Sequence, residues 1–114
     1  MPYLKITTNK PLEKDQEAEL STKASALVSS LLSKPENYVM VEISSGNTMS
    51  FAGSNDPLAY LELKSIGLPD EKTADFSSEL CHFISTQLNI NTDRIYIEFA
   101  SAERHLWGWN KDTF

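Results

Sequence analysis

Apolar and polar side chains alternate from Tyr3 to Thr8, placing Leu4 and Ile6 on one face, and this period of two predicts a short strand. The stretch "NKPLEKD" then supplies a turn and a helix start. Leu20, Ala24, Leu27, Val28, Leu31 and Leu32 recur at spacings of three and four, the apolar stripe of an amphipathic helix that ends near "SKPEN". Tyr38 to Ser44, "YVMVEIS", is rich in β-branched residues and alternates, predicting a second strand. "SGNTMSFAGSND" has the Gly, Asn and Ser density of a loop, and "PLAYLELKS" after it predicts a third strand. Following the turn-rich "IGLPDEKTAD", Phe76, Leu80, Phe83, Ile84 and Leu88 repeat at helical spacing, and "DRIYIEFA" predicts a fourth strand.

Strand, helix, strand occurs twice, with comparable lengths in each half. This order predicts an α+β fold, a duplicated βαβ unit in the split arrangement, with four strands in one sheet and both helices on one face. The aliphatic set Val39, Val41, Ile43, Ile95, Ile97 and Phe99 suits the helices. The opposite set, Met40, Glu42, Tyr96 and Glu98, mixes aromatic and acidic groups, so that face must look into solvent, a site or another subunit. The tail "SAERHLWGWNKDTF" carries Leu106, Trp107, Trp109 and Phe114, whereas tails with nothing to pack on are usually polar. These aromatics either complete the chain's own core or dock on a neighbouring protomer.

With 114 residues, the chain is expected to form a single domain spanning 1–114. No apolar run approaches the roughly 18 residues that a membrane span needs, and a net charge of -6 argues against a nucleic-acid partner, which calls for a basic face. Cys81 is the only cysteine, too few for an intrachain disulfide or a cysteine-based zinc cluster; as a helix residue it reads as a packed small hydrophobe. His82 and His105 lack ligand spacing, so no metal or other cofactor is indicated. The start of the chain shows no apolar signal segment, and a cytoplasmic location is the expectation; unconventional export would leave no mark in the sequence.

The start "MP" raises a chemical question. Methionine followed by a small residue is a typical substrate for methionine removal, which would leave Pro2 with a free secondary amine. Together with "SKP", "FAGS", "SIG", "DRIYIEF", "GWN" and a terminal Phe, in order along the whole chain, this start resembles the macrophage migration inhibitory factor family of the tautomerase superfamily. The resemblance implies a homotrimer with sites between subunits. It also implies cofactor-independent keto-enol tautomerisation of phenylpyruvate-type 2-keto acids, with Pro2 as general base. By the same resemblance Lys34 binds the substrate's acidic end, Ile66 contributes its backbone N–H, Tyr96 comes from the neighbouring subunit, and Trp109 and Phe114 stand at the pocket mouth. Glu98 and Trp107 depart from the animal cytokines, which carry an asparagine and a small aliphatic residue there. "PLAY" lacks the thiol motif of those cytokines, so no thiol-disulfide activity carries over.

The chemistry is coherent on physical grounds alone. Proton transfer between carbon and oxygen needs a base with a pKa near the working pH and a donor for the developing enolate. A terminal amine starts near about 8, and burial beside a cation lowers it further. A proline can also open a strand without breaking a ladder, and a lysine can sit at a helix C-terminus for the dipole alone. The alternative function is a cytokine-like binding protein that engages a receptor while its pocket is vestigial; a scaffolding trimer is a third.

Overall fold

The computed structural model describes residues 1–114. Strand β1 (Tyr3–Thr8) leads into helix α1 (Lys14–Leu32) and strand β2 (Met40–Ser44). After the middle loop come β3 (Ala59–Ile66), α2 (Thr73–Leu88) and β4 (Ile95–Ala102). A two-residue hairpin, β5 (Gly108–Trp109) and β6 (Asp112–Thr113), closes the chain. No helix is long and apolar enough to cross a membrane.

The four long strands form one mixed sheet in the order β2-β1-β3-β4. β1 is parallel to β2, β3 is parallel to β4, and the central β1/β3 pair is antiparallel. Each βαβ half therefore closes on itself, its two strands direct neighbours. The split arrangement expected from the order of elements does not form. Adjacency depends on where each helix returns the chain, and here each returns it beside the strand it left; the antiparallel β1/β3 seam then joins the halves.

One face of the sheet is the core. Leu4, Ile6 and Thr8 of β1 and Ala59, Leu61, Leu63 and Ser65 of β3 are buried at alternate positions, as a period of two requires. Leu20, Ala24 and Val28 of α1 and Phe76, Leu80, Ile84 and Leu88 of α2 meet them. Val39, Val41, Ile43, Ile97, Phe99 and Cys81 pack against this cluster from its margins. Thr8 is buried without cost, because its hydroxyl donates to the Leu58 carbonyl at 2.6 Å.

The other face is open and runs in cross-strand rows. Glu42, Lys5, Glu62 and Glu98 form the middle row. Next to it lie Met40, Tyr3, Lys64 and Ala100 on one side and Ser44, Thr7, Tyr60 and Tyr96 on the other. Tyr3 donates its hydroxyl to Glu42 Oε1 at 2.5 Å, which, with burial and the charges of Glu42 and Glu62, pushes its pKa up to about 12.

A cavity cornered by Pro2

The end of the sheet where β1 starts is built from three local structures. Ser33 takes the left-handed conformation (φ 53°) that closes α1, and the Lys34 N–H returns to the Ser29 carbonyl at 3.0 Å. Ser29 Oγ also donates to the Lys34 carbonyl at 2.5 Å, so the backbone of Lys34 is held at the helix end. A single 3₁₀ turn, Glu36–Tyr38, then carries the chain over the start of β1. Finally, Asn110 and Lys111 adopt positive φ (52° and 68°), the backbone of a two-residue hairpin, and fold the tail back on itself. The Phe114 N–H donates to the Trp107 carbonyl at 3.2 Å, closing the loop of aromatics.

These pieces enclose a cavity of about 230 Å³ whose lining includes Pro2, Tyr38, Met40, Trp107, Trp109 and Phe114. The Pro2 side chain is fully buried, and its carbonyl accepts from the Met40 N–H at 3.0 Å. Tyr38 meets Trp109 and Phe114 edge-on, with ring centroids 5.5 and 5.8 Å apart, while Trp109 and Phe114 stack at 5.6 Å. The result is a slot with aromatic walls, suited to a flat ligand. The Met1 amine donates to the Tyr38 carbonyl at 3.1 Å. Burial lowers the pKa of this amine from its usual 8.0, and the positive charge of Lys34 lowers it further.

Of the residues expected at the site, Pro2, Trp107, Trp109 and Phe114 line this cavity, and Lys34 is near enough to act on its amine. Ile66 is buried at the end of β3 that lies at this same end of the sheet, because Tyr3 pairs with Lys64 and Ile66 lies two residues further on. Tyr96 and Glu98 lie elsewhere. Tyr96 shares a row with Thr7, five residues along β1 from Pro2 and two strands over, a displacement of roughly 17 Å along the strands and 10 Å across them. Within one chain neither side chain belongs to the Pro2 cavity.

Tyr96 instead lines a second, apolar groove of about 450 Å³ with Phe51, Leu58 and Tyr60. The Phe51 and Tyr96 rings are 4.5 Å apart. Arg94 sets this arrangement, with its guanidinium donating to the carbonyls of Phe51, Asp56, Ser54 and Pro57 at 2.7, 2.9, 3.1 and 3.4 Å. It also stands 5.2 Å from the Phe51 ring centroid. Ala52 and Gly53, both at positive φ, make the turn that lets Phe51 and Ser54 bridge.

Tyr38, Met40, Phe51 and Tyr60 were not expected as site residues. Tyr38 and Met40 are strand-like in sequence, and only the 3₁₀ turn places the Tyr38 ring over the cavity. Phe51 sits in a segment that reads as loop, where no periodicity marks an aromatic as part of a wall.

A mixed four-stranded sheet backed by two helices, with a proline cornering an aromatic cavity where the first strand starts, is the tautomerase-superfamily architecture. The chain belongs to the macrophage migration inhibitory factor (MIF) family, whose model matches residues 1–114. It is similar to the macrophage migration inhibitory factor homolog of Brugia malayi, 40% identical over 115 residues that cover 100% of this chain and 99% of that protein. The mouse macrophage migration inhibitory factor is 34% identical over the same span, again covering 100% of this chain and 99% of the relative. Among solved structures, the crystal structure of the homologue from Prochlorococcus marinus superposes with a TM-score of 0.91 at 39% identity, covering 98% of each chain. That of Trichinella spiralis gives 0.89 at 34%, covering 98% of this chain and 99% of the other.

Proposed function

We propose that this chain is a cofactor-independent keto-enol tautomerase of aromatic 2-keto acids, with Pro2 as general base once Met1 is removed. The observation that carries the reading is the corner itself. The Pro2 ring is fully buried there and lines the aromatic cavity. Burial and Lys34 already hold the Met1 amine, one residue away, below its ordinary pKa; the same surroundings would favour the neutral form of a Pro2 amine, as a base working near neutral pH requires. The aromatic slot of Tyr38, Trp109 and Phe114 suits a phenyl ring, and Lys34 suits the carboxylate at the other end of the substrate.

In this mechanism the neutral Pro2 nitrogen takes a proton from the carbon beside the keto group, and the C–H electron pair moves into the new C=C bond. The carbonyl oxygen becomes an enolate, steadied by the Lys34 charge and a backbone N–H of Ile66, and then receives a proton. The reverse sequence converts enol to ketone. No redox change occurs, so no electron carrier is needed.

The active unit is a homotrimer. Four large apolar side chains, Met40, Tyr96, Leu106 and Trp109, are more than half exposed on the single chain, and both outer strands, β2 and β4, have an unpaired edge. Setting β4 of one copy against the Pro2 corner of the next would cover this surface and bring Tyr96 and Glu98 to the cavity. The test is direct. Purified chain lacking Met1 should convert phenylpyruvate enol to ketone well above the buffer-catalysed rate; a rate equal to buffer overturns the reading.

Lys34 supplies a second expectation. Lys34→Ala removes the cation that helps depress the amine, so the amine pKa rises. Because kcat/KM follows the neutral amine, its rising limb should move to higher pH. Some depression should remain, since burial outweighs Lys34 in lowering the neighbouring Met1 amine. The same variant should raise KM for an anionic substrate, and pH profiles of kcat/KM for both proteins check the two effects together.

A further inference from the structure

The core face of the sheet buries two polar side chains, one towards each end. Thr8, at the far end of β1, gives its hydroxyl to the Leu58 carbonyl. Ser65 is 1% exposed, and its Oγ has no hydrogen-bond partner in the chain. A buried hydroxyl without a partner is rare and costs stability, so it calls for a cause. Its register partner on β4, Ser101, is engaged elsewhere, accepting from the Leu68 N–H at 3.0 Å.

The register of β1 and β3 supplies the cause. Leu4 pairs with Leu63 and Tyr3 with Lys64, so the next position brings Pro2 opposite Ser65. Leu4 and Leu63 face the core, and a period of two puts Pro2 and Ser65 on that same face, where both side chains are fully buried. The Pro2 carbonyl accepts from Met40 on the β2 side, which makes Pro2–Ser65 the narrow type of antiparallel pair, with Cα atoms roughly 4.5 Å apart. With Met1 attached, the Pro2 nitrogen is a tertiary amide and has no hydrogen to donate. Once Met1 is removed it is a secondary amine, with one N–H and one lone pair when neutral and two N–H bonds when charged. A donor then stands beside an acceptor that has none.

We propose that Ser65 is a positioning residue for Pro2: its Oγ accepts the Pro2 N–H of the processed chain and so aims the nitrogen's lone pair into the aromatic cavity. The inference rests on the reading above, in which Pro2 is the base. The charged and titratable groups around this corner do not take the same part. Lys34 and Lys64 are cations and cannot accept. Tyr3 is bound to Glu42 on the open face, Tyr38 belongs to the aromatic wall, Arg104 donates to the Phe114 carbonyl, and Glu36 is exposed on the 3₁₀ turn.

The test removes a single hydroxyl. In Ser65→Ala of the chain beginning at Pro2, kcat for phenylpyruvate should fall about tenfold or more with KM little changed, because a misdirected lone pair is felt in the transition state. The rising limb of kcat/KM should move at the same time to lower pH, by about half a unit or more, since an acceptor favours the charged amine and its loss favours the free base. More free base with slower turnover separates lost direction from lost structure. Native kcat overturns the proposal, as does a lower kcat with the limb unmoved. Thermal unfolding reads the same contact without turnover. In an N-terminally extended chain, where the Pro2 nitrogen is an amide, Ser65→Ala removes an orphan hydroxyl and Tm should hold or rise; in the chain beginning at Pro2 it breaks a hydrogen bond and Tm should fall. The same change of Tm in both chains overturns the proposal. Failure of the tautomerase reading looks different, because phenylpyruvate would then not turn over in any chain, while the Tm comparison still decides the contact.

Discussion

Replacing Pro2 by glycine lowers kcat/KM for phenylpyruvate by about 100-fold or more, and an N-terminal extension that converts the Pro2 nitrogen into an amide lowers it further, within the roughly 10²–10⁴-fold range of a general base. The two variants remove different things. Glycine keeps a terminal amine, but loses the ring that packs in the buried corner and fixes the direction of the nitrogen. An extension keeps the ring and abolishes the basicity. Neither should disturb the sheet, because Pro2 contributes to β-pairing through its carbonyl, which accepts from Met40 and is unchanged in both. Intact mass should first establish that the active protein begins at Pro2. Native rates in either variant, with assembly unchanged, would mean that Pro2 only opens the strand.

The periodic parts of this fold are legible because burial has a period. Leu4 and Ile6 in β1, and Phe76, Leu80, Ile84 and Leu88 in α2, face the core where alternation and helical spacing place them. The division of the sheet into a dry face and a mixed face follows from the same rule, as Met40, Glu42, Tyr96 and Glu98 illustrate. Strand adjacency was less accessible, since a βαβ pattern is the same whether its strands are neighbours or separated. The hairpin at Asn110–Lys111 was also hidden. Asn-Lys is a weaker turn signal than Asn-Gly, and Lys111 tolerates its positive φ only because the flanking pairs Gly108–Thr113 and Trp109–Asp112 hold it.

The candidate site divides along the same line. Pro2, Lys34, Trp107, Trp109 and Phe114 converge through local chain closures, each with a residue-level cause. Tyr38 and Tyr60 are not legible in the sequence because their placement depends on what surrounds them, a 3₁₀ turn in one case and the apolar groove shared with Phe51 and Tyr96 in the other. Tyr96 and Glu98 were expected from family resemblance alone, and the geometry of one chain holds them away from Pro2.

That separation leads to the other large effect. If each site takes Pro2 from one copy and Tyr96 from the next, Pro2→Gly and Tyr96→Ala homotrimers are each defective at every site, by different routes. Unfolding the two variants together and refolding them as a 1:1 mixture places an intact Pro2 beside an intact Tyr96 in about one quarter of sites under random assortment, since each wall is native with a probability of one half. Activity should therefore rise from near background to about a quarter of the wild-type value per chain, whereas mixing the folded variants without unfolding should restore nothing at early times. Light scattering should give about three times the 12.8 kDa chain mass for wild type and for both variants. Chains carrying different affinity tags, purified through both, confirm that the refolded trimers are mixed. Mixed trimers that stay inactive would place the whole site within a single chain, and the roughly 17 Å offset between the rows of Pro2 and Tyr96 would then exclude Tyr96 from it.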